Sequence, residues 1–136
     1  MSRVLVFGTF DPLHEGHHNF FNQAKAEGTH LTVVVARDSQ VRVQKGREPH
    51  QPERERLQAV ARASAVDQVL LGEEGEQSYA LLGRLAFEVL AVGYDQEPDD
   101  AEIQEQLRAC GKQAVRLVRL KPYQPDIYKS SYLRSK

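Results

Sequence analysis

The chain has 136 residues, of which 40% are hydrophobic and 27% charged, and its formal net charge at pH 7 is −1; these values are typical of one globular domain, here residues 1–136. The near-neutral charge argues against nucleic acid as a partner, and with neither a long apolar run nor a signal peptide we expect a cytoplasmic protein and no membrane partner. Because Cys110 is the only cysteine, an internal disulfide and a cysteine-based zinc cluster are excluded.

Short runs of β-branched residues alternate along the chain with longer amphipathic stretches, a pattern that predicts βαβ units. Strands are predicted at 3–7, 30–36, 68–71, 88–92 and 113–120. Helices are predicted at about 16–27, from Pro52 onward, at 77–85 and at 99–109. The expected fold class is α/β, a single-domain Rossmann-like five-stranded parallel sheet flanked by helices.

In the first two predicted helices, apolar residues recur at the spacing of one helical face. The residues expected to face inward are Phe20, Phe21, Ala24, Leu57, Val60 and Ala61. The segment 38–51, between the second strand and the second helix, has no clear periodicity and is predicted to be a loop. It should leave the same edge of the sheet as the loops after the first and fourth strands, where α/β proteins bind ligands.

A run of residue types suited to phosphate binding follows the first strand directly. It reads Gly8-Thr9-Phe10-Asp11-Pro12-Leu13-His14-Glu15-Gly16-His17. We expect Gly8 to let the backbone approach a ligand, and the Asp-Pro turn to lead into a helix whose free N–H groups form an anion site. His14 and His17 are three residues apart, so on the first helical turn they present imidazole donors side by side.

Other interpretations of this run remain open. Histidines near a helix start are often solvated surface residues, and a pair can bind zinc, although two histidines without a third ligand form a poor zinc site. The neighbouring glycine, threonine and Asp-Pro turn have no evident packing purpose, which favours phosphate binding. For Asp11, contact with a metal or substrate and shaping of the turn are equally supported.

The motifs at residues 8–11 and 14–17 resemble the GTFD and HxGH signature of the nucleotidyltransferase superfamily, which includes the cytidylyltransferases and small adenylyltransferases. The resemblance implies that a nucleoside triphosphate is joined to a phosphorylated small molecule, with release of pyrophosphate. Further along the chain, Lys45-Gly46-Arg47 is similar to the family's basic loop, Arg56 to an arginine on the next helix, and Lys129-Ser130-Ser131 to the hydroxyl-bearing motif that opens the last helix.

The resemblance implies a role for each of these residues. His14, His17 and Lys45 are implied to be catalytic: the histidines bond the α- and β-phosphates, and Lys45 balances the charge of the leaving pyrophosphate. Arg56, as a nucleotide-binding residue, helps to balance the same charge. The other nucleotide contacts are assigned to Gly8, Thr9, Phe10, Gly93, Asp95, Gln96, Ser130 and Ser131, and the acceptor contacts to Asp11, Tyr128 and Lys129. No metal ligand is assigned, and Mg²⁺ is expected as a cofactor held mostly by phosphate oxygens and water.

Within the superfamily, residues 35–38, 45–49 and 93–96 look most like the archaeal-type FAD synthetases, which are FMN adenylyltransferases. The glycerol-3-phosphate cytidylyltransferases are the next closest group, but this chain has Tyr128-Lys129 where cytidylyltransferases usually carry Arg-Thr, so ATP is favoured over CTP. The last helix is short, with only residues 132–136 after the serines, which leaves a non-catalytic nucleotide-binding module as a low-ranked alternative. The resemblance is also compatible with a homodimer.

Overall fold

The computed structural model describes residues 2–72, 82–93 and 100–121. These residues form a sheet whose strands are Arg3–Gly8 (β1), His30–Val35 (β2), Gln68–Leu71 (β3), Val89–Val92 (β4) and Arg116–Arg119 (β5). The helices are Glu15–Lys25 (α1), Asp38–Lys45 (α2), Glu53–Ala61 (α3) and Asp100–Ala109 (α4). All strand pairs are parallel, so the predicted five-stranded α/β fold is confirmed.

The strand order β3-β2-β1-β4-β5 places β1 at the centre of the sheet. From β1 the chain proceeds outward through β2 and β3, and it then returns to the opposite side of β1 as β4. The order of the strands therefore reverses between β1 and β4. In sheets of this kind, ligands bind in the crevice outside the carboxyl ends of the strands at the reversal, here next to Gly8 and Val92.

The central strands are buried on both faces because helices cover both sides of the sheet. On β1, Val4 and Val6 belong to the apolar layer that includes residues of α1 and α3. Leu5, between them, packs on the other face with Ile103 and Leu107 of α4. This alternation follows from the two-residue period of a strand. None of the helices in the described parts of the chain is long and apolar enough to cross a membrane.

The prediction that segment 38–51 is a loop is wrong, because its first eight residues form α2. The apolar pattern of this helix is weak, since Val41 is fully buried whereas Val43 is 56% exposed. A residue of α3 also caps the start of this helix: the Glu53 carboxylate accepts a hydrogen bond from the Asp38 N–H at 2.8 Å. The local signal is weak, because the N-cap residue is Arg37 and only the Gln40 side chain, which accepts a hydrogen bond from the Arg37 N–H at 2.9 Å, caps from within the helix.

The inward faces of the first and third helices are largely as predicted. On α1, Phe21 and Ala24 are buried and Phe20 packs against them; on α3, Val60 is buried and Leu57 packs against the same core. Ala61 is exposed, contrary to the prediction. The inner face of α3 is instead formed by Val60 and Arg56, which lies one helical turn before Val60 and is fully buried.

Other bounds differ from the predictions at element ends. The strand predicted at 113–120 begins only at Arg116, because a turn precedes it in which the Val115 N–H bonds the Lys112 carbonyl oxygen at 3.0 Å. Most of the helix predicted at 77–85 lies outside the described residues, and its described end, 82–85, is a short 3₁₀ turn followed by a bend.

Candidate active site

The turn after β1 folds back against the strand it leaves. Phe10 has a left-handed backbone conformation, with φ of 55°, and its ring covers Gly8, where a Cβ atom would lie 2.4 Å from the ring. The ring is buried and contacts the rings of Phe21 and His17, with centroid distances of 5.3 and 5.1 Å. The Phe10 side chain therefore belongs to the core, which corrects the expectation that it contacts the nucleotide, and Gly8 is required by this packing.

His14 and His17 lie together at the start of α1 and cap it. The Nδ1 atom of His14 accepts a hydrogen bond from the Gly16 N–H at 3.0 Å, and the Nδ1 atom of His17 accepts one from the His14 N–H at 3.1 Å. The two rings stack with a centroid distance of 3.8 Å and an interplanar angle of 27°. Sequence reasoning anticipated that the rings would be adjacent but missed that each one also caps the helix.

These hydrogen bonds determine where each imidazole carries its proton. An Nδ1 atom that accepts a bond from a backbone N–H has no proton of its own, so the ring proton of a neutral histidine lies on Nε2. Both rings therefore present an Nε2–H donor. The Nε2 atom of His14 is buried and has no hydrogen-bond partner among the described residues. A buried donor without an acceptor is costly, so it indicates a place where a ligand oxygen binds.

Burial keeps both histidines neutral. It lowers the pKa of His17 to about 3, with smaller contributions from His14 and His18. Burial also lowers the pKa of His14, helped by the nearby His18. Since neither ring is protonated at neutral pH, the pair offers hydrogen-bond donors and no positive charge. Neutralisation of a polyanionic ligand must come from other groups, including the positive end of the α1 dipole.

Asp11 fastens the turn after β1 to the segment that precedes α3. Its carboxylate accepts hydrogen bonds from the backbone N–H groups of His50 and Gln51, at 2.6 and 2.8 Å. An Arg47 nitrogen lies 3.9 Å from the same carboxylate, and the Asp11 side chain is only 2% exposed. The peptide bond between Asp11 and Pro12 is cis. The carboxylate is thus engaged within the protein, in a role that neither sequence interpretation included.

Lys45 is the last residue of α2, and its side chain is exposed. The helix ends there because Gly46 follows in a left-handed conformation, with φ of 68°, and its N–H bonds the Arg42 carbonyl oxygen. The helix leaves the carboxyl end of β2, which pairs with β1 so that Val35 lies opposite Gly8. The segment that carries Lys45 and the turn that leads to His14 and His17 therefore emerge from adjacent strands at one edge of the sheet, as predicted.

Arg56 lies on α3, the helix after the basic residues, as the resemblance implied, but it faces the protein interior. Its side chain is fully buried, and its guanidinium donates to the carbonyl oxygens of Thr9, Ala36 and Gln51 at 3.0, 2.7 and 2.9 Å. It also donates to the Asp38 carboxylate at 2.7 Å. A guanidinium enclosed in this way is engaged with protein acceptors, which contradicts the expected contact with pyrophosphate.

Six of the predicted site residues lie outside the described residues: Asp95, Gln96, Tyr128, Lys129, Ser130 and Ser131. Gly93, directly after β4, is described. Its carbonyl oxygen accepts a hydrogen bond from Arg119 at 2.7 Å, and the same guanidinium donates to the Asp100 carboxylate at 2.5 and 3.1 Å. Arg119 of β5 thus contacts the residues on both sides of segment 94–99.

Sequence reasoning also missed a contact between α1 and Lys121, the second residue after β5. The Gln23 side chain accepts a hydrogen bond from the Lys121 N–H at 3.0 Å and donates one to the Lys121 carbonyl oxygen at 2.8 Å. The Gln23 amide is itself held by the Asn19 side chain at 2.7 Å. A glutamine on an amphipathic helix gives no sequence signal for such a contact, because its partner is a backbone group 98 residues away.

Comparison with known proteins gives consistent matches over most of the chain. A family model for cytidylyltransferase-like proteins matches residues 5–136. An FAD synthase of Pyrococcus abyssi is 41% identical over 93% of this chain and 82% of the relative. An FAD synthase of Thermoplasma volcanium is 36% identical over the whole chain and 94% of the relative. A crystal structure described as a lipopolysaccharide core biosynthesis protein from T. volcanium superposes with a TM-score of 0.83 at 36% identity, covering 91% of this chain and 99% of that one.

Proposed function

This chain belongs to the cytidylyltransferase-like family, and on that premise we propose that it is an FAD synthase, which transfers an adenylyl group from ATP to FMN and releases pyrophosphate. The activity is that of relatives 36–41% identical to it. We assign it to a single nucleotidyltransferase domain over residues 1–136. The acceptor oxygen of the FMN phosphate forms a bond to the α-phosphorus of ATP as the bond to the pyrophosphate oxygen breaks.

The histidine pair is the observation that carries this proposal. The two rings stack at the β1 side of the crevice and present Nε2–H donors, one of which is buried without an acceptor in the described structure. The FMN phosphate is already an anionic nucleophile, so the reaction needs neither a covalent intermediate nor a general base. It needs alignment and stabilisation of the charge that develops on the α-phosphate. His14 and His17 donate to the α- and β-phosphates and stay neutral while doing so.

Positive charge on the leaving pyrophosphate side is supplied by Lys45. It stands exposed at the end of α2, at the edge of the sheet from which the histidine turn also emerges. Further phosphate contacts come from Ser130 and Ser131, and acceptor contacts from Tyr128 and Lys129. Gly93 follows β4 on the other side of the crevice, and we assign base recognition to it together with Asp95 and Gln96, which come shortly after it in the sequence.

Nucleotidyltransferases of this kind generally use a divalent metal with the nucleotide, and we propose Mg²⁺ for this one. No group of three or more His, Cys, Asp or Glu side chains within residues 2–72, 82–93 and 100–121 has the geometry to hold a metal ion. Mg²⁺ often keeps several waters and binds through substrate phosphates, which fits a site of this kind. Held mainly by phosphate oxygens and water, such an ion would offset part of the negative charge of the triphosphate.

The proposal is tested with a matrix of ATP or CTP against FMN or glycerol 3-phosphate, with Mg²⁺, measuring pyrophosphate release and the dinucleotide formed. ATP with FMN should give the highest kcat/KM. His17→Ala should lower turnover on the order of a hundredfold, as loss of a preorganised donor does elsewhere. His18→Ala, which removes the exposed imidazole next to it, is the control and should keep turnover near that of the unmodified protein. A mild effect of His17→Ala, or CTP with glycerol 3-phosphate as the preferred pair, would contradict the proposal.

A second pair of variants tests the role of Lys45 separately. Lys45→Ala should lose most turnover while the circular dichroism spectrum and melting temperature stay unchanged, because the side chain is exposed. Arg42→Ala, three residues earlier on the same helix, removes another exposed cation, one paired with Glu48 at 2.9 Å. If both variants lose the same activity, the effect belongs to the net charge of the helix and the specific role of Lys45 is refuted.

A further inference from the structure

The chain between β2 and α3 begins and ends at one buried guanidinium. At the start of this segment, which we call the basic segment (residues 36–51), Arg56 donates to the Ala36 carbonyl oxygen and the Asp38 carboxylate, both at 2.7 Å. At its end, the same side chain donates to the Gln51 carbonyl oxygen at 2.9 Å. A fourth bond, to the Thr9 carbonyl oxygen at 3.0 Å, reaches the turn after β1. One side chain thus joins the two structures that carry the predicted phosphate-binding groups.

A second charged side chain completes this connection from the other side. Asp11 accepts hydrogen bonds from the His50 and Gln51 N–H groups. Both backbone polar groups of Gln51 are therefore held by charged side chains, the N–H by Asp11 and the carbonyl by Arg56. Since the Asp11 side chain is 2% exposed and that of Arg56 fully buried, water does not readily replace either partner.

Burial also limits what else the guanidinium can do. A buried charge is tolerated only when it is paired and hydrogen-bonded, and removal of one partner leaves an uncompensated charge. Arg56 has the Asp38 carboxylate and three carbonyl oxygens as acceptors, so a phosphate ligand would have to displace them. Lys45, by contrast, is exposed near the middle of the basic segment, and the location of its charge depends on how the ends of that segment are held.

We propose that Arg56 is a positioning residue: it fixes the basic segment, and with it Lys45, relative to the turn that leads to the catalytic histidines, without itself contacting phosphate. The proposal rests on the function assigned above to Lys45. Misplacement of a charged group by about 1 Å is enough to lower turnover substantially, on the order of a hundredfold in favourable cases. Loss of Arg56 should therefore act through Lys45.

The first test needs no substrate. Hydrogen exchange of the His50 and Gln51 amides is compared in the unmodified protein, in Arg56→Lys and in Arg54→Lys, which makes the same substitution at an exposed position of the same helix. Arg56→Lys should accelerate exchange at these two amides at least tenfold while the strands β1 and β2 stay protected, and Arg54→Lys should not. Unchanged exchange in Arg56→Lys would overturn the proposal, and equal acceleration throughout the protein would reduce Arg56 to a general stabiliser.

The second test is a double-mutant cycle on turnover of ATP and FMN, measured well below the melting temperature. If Arg56 acts by placing Lys45, then Lys45→Ala should cost at least tenfold less in the Arg56→Lys background than in the unmodified protein, and Arg54→Lys should leave its cost unchanged. Losses that simply multiply would overturn the proposal. Should the unmodified protein fail to make FAD, the proposed function falls, whereas the exchange experiment still decides whether Arg56 holds the segment.

A milder variant covers the case in which Arg56→Lys does not fold. Asp38→Asn removes the charged acceptor at the start of the basic segment while leaving the arginine and its three carbonyl partners in place. It should produce the same two effects in weaker form, faster exchange at His50 and Gln51 and a reduced cost of Lys45→Ala. If it leaves both measurements at the values of the unmodified protein, the proposal fails for this end of the segment.

Discussion

Replacement of His17 by asparagine should change the way in which stability depends on pH. The side-chain oxygen of asparagine, Oδ1, replaces Nδ1 as acceptor of the His14 N–H. The helix cap is therefore retained while the titratable group is removed. In the unmodified protein, burial lowers the pKa of His17 from its ordinary value of 6.5 to about 3. The unfolded chain therefore binds a proton between these values and the folded protein does not, so the free energy of unfolding falls as the pH decreases below 6.5.

The size of this effect follows from the two pKa values. Between pH 7 and pH 5 the free energy of unfolding should fall by about 2 kcal/mol through His17 alone, since the linkage approaches 1.4 kcal/mol per pH unit. His14, whose pKa burial also lowers, contributes in both proteins and cancels in their difference. Glu88, whose pKa the hydrogen bond from Arg3 lowers to about 2, is likewise present in both proteins and cancels in the same way.

The assay is urea unfolding of both proteins, followed by circular dichroism at half-unit pH intervals. Between pH 7 and pH 5, the free energy of unfolding of the unmodified protein should fall by about 2 kcal/mol more than that of His17→Asn. From pH 7 to pH 8 the difference should be constant, which serves as an internal control. Parallel pH profiles down to pH 5 would show that the pKa of His17 is the same in the folded and the unfolded protein, and the conclusion that burial keeps this imidazole neutral below pH 6.5 would be refuted.

Three further predictions concern the surroundings of the site. Gly8→Ala should destabilise the protein by about 1–3 kcal/mol in urea unfolding, because the new methyl group overlaps the Phe10 ring; a Phe10→Leu substitution should recover part of the loss, and an additive double mutant would contradict this cause. Glu53→Ala should cost about 1 kcal/mol in the same assay through loss of the α2 cap, and an unchanged midpoint would argue against the cap. Gln23→Ala should accelerate hydrogen exchange of the Lys121 amide without changing the core, whereas equal protection in both proteins would show that this contact is absent in solution.

The sheet and the histidine turn could be predicted because their signals are local. Each strand is a short β-branched run, and the α1 start carries its own capping residues, so neighbouring positions in the sequence decide the structure. The proximity of His14 and His17 follows from their spacing alone. The sequence did not reveal that each ring accepts a backbone N–H, and this contact is what assigns the proton to Nε2.

What could not be predicted depends on partners distant in the sequence. Arg56 was interpreted as a phosphate ligand because it resembles the family's arginine on the next helix. Its acceptors come from three separate segments that meet only in the fold. The helix α2 was missed for the same reason, since Glu53 provides its cap from another helix. Gly8 was assigned to ligand approach, whereas the ring that requires it belongs to Phe10, two residues later.

Arg56 holds both ends of the basic segment close together, and this has a consequence for how the protein can change over evolution. Because both ends of the segment are bonded to Arg56, and its second end also to Asp11, the distance between the ends is set by these contacts and not by the number of residues between them. Insertions, deletions or exchanges between Asp38 and Gln51 can therefore alter the charge offered to a ligand while the histidine turn stays in place. The charge that the protein offers to the phosphates can therefore evolve in this segment without a new fold.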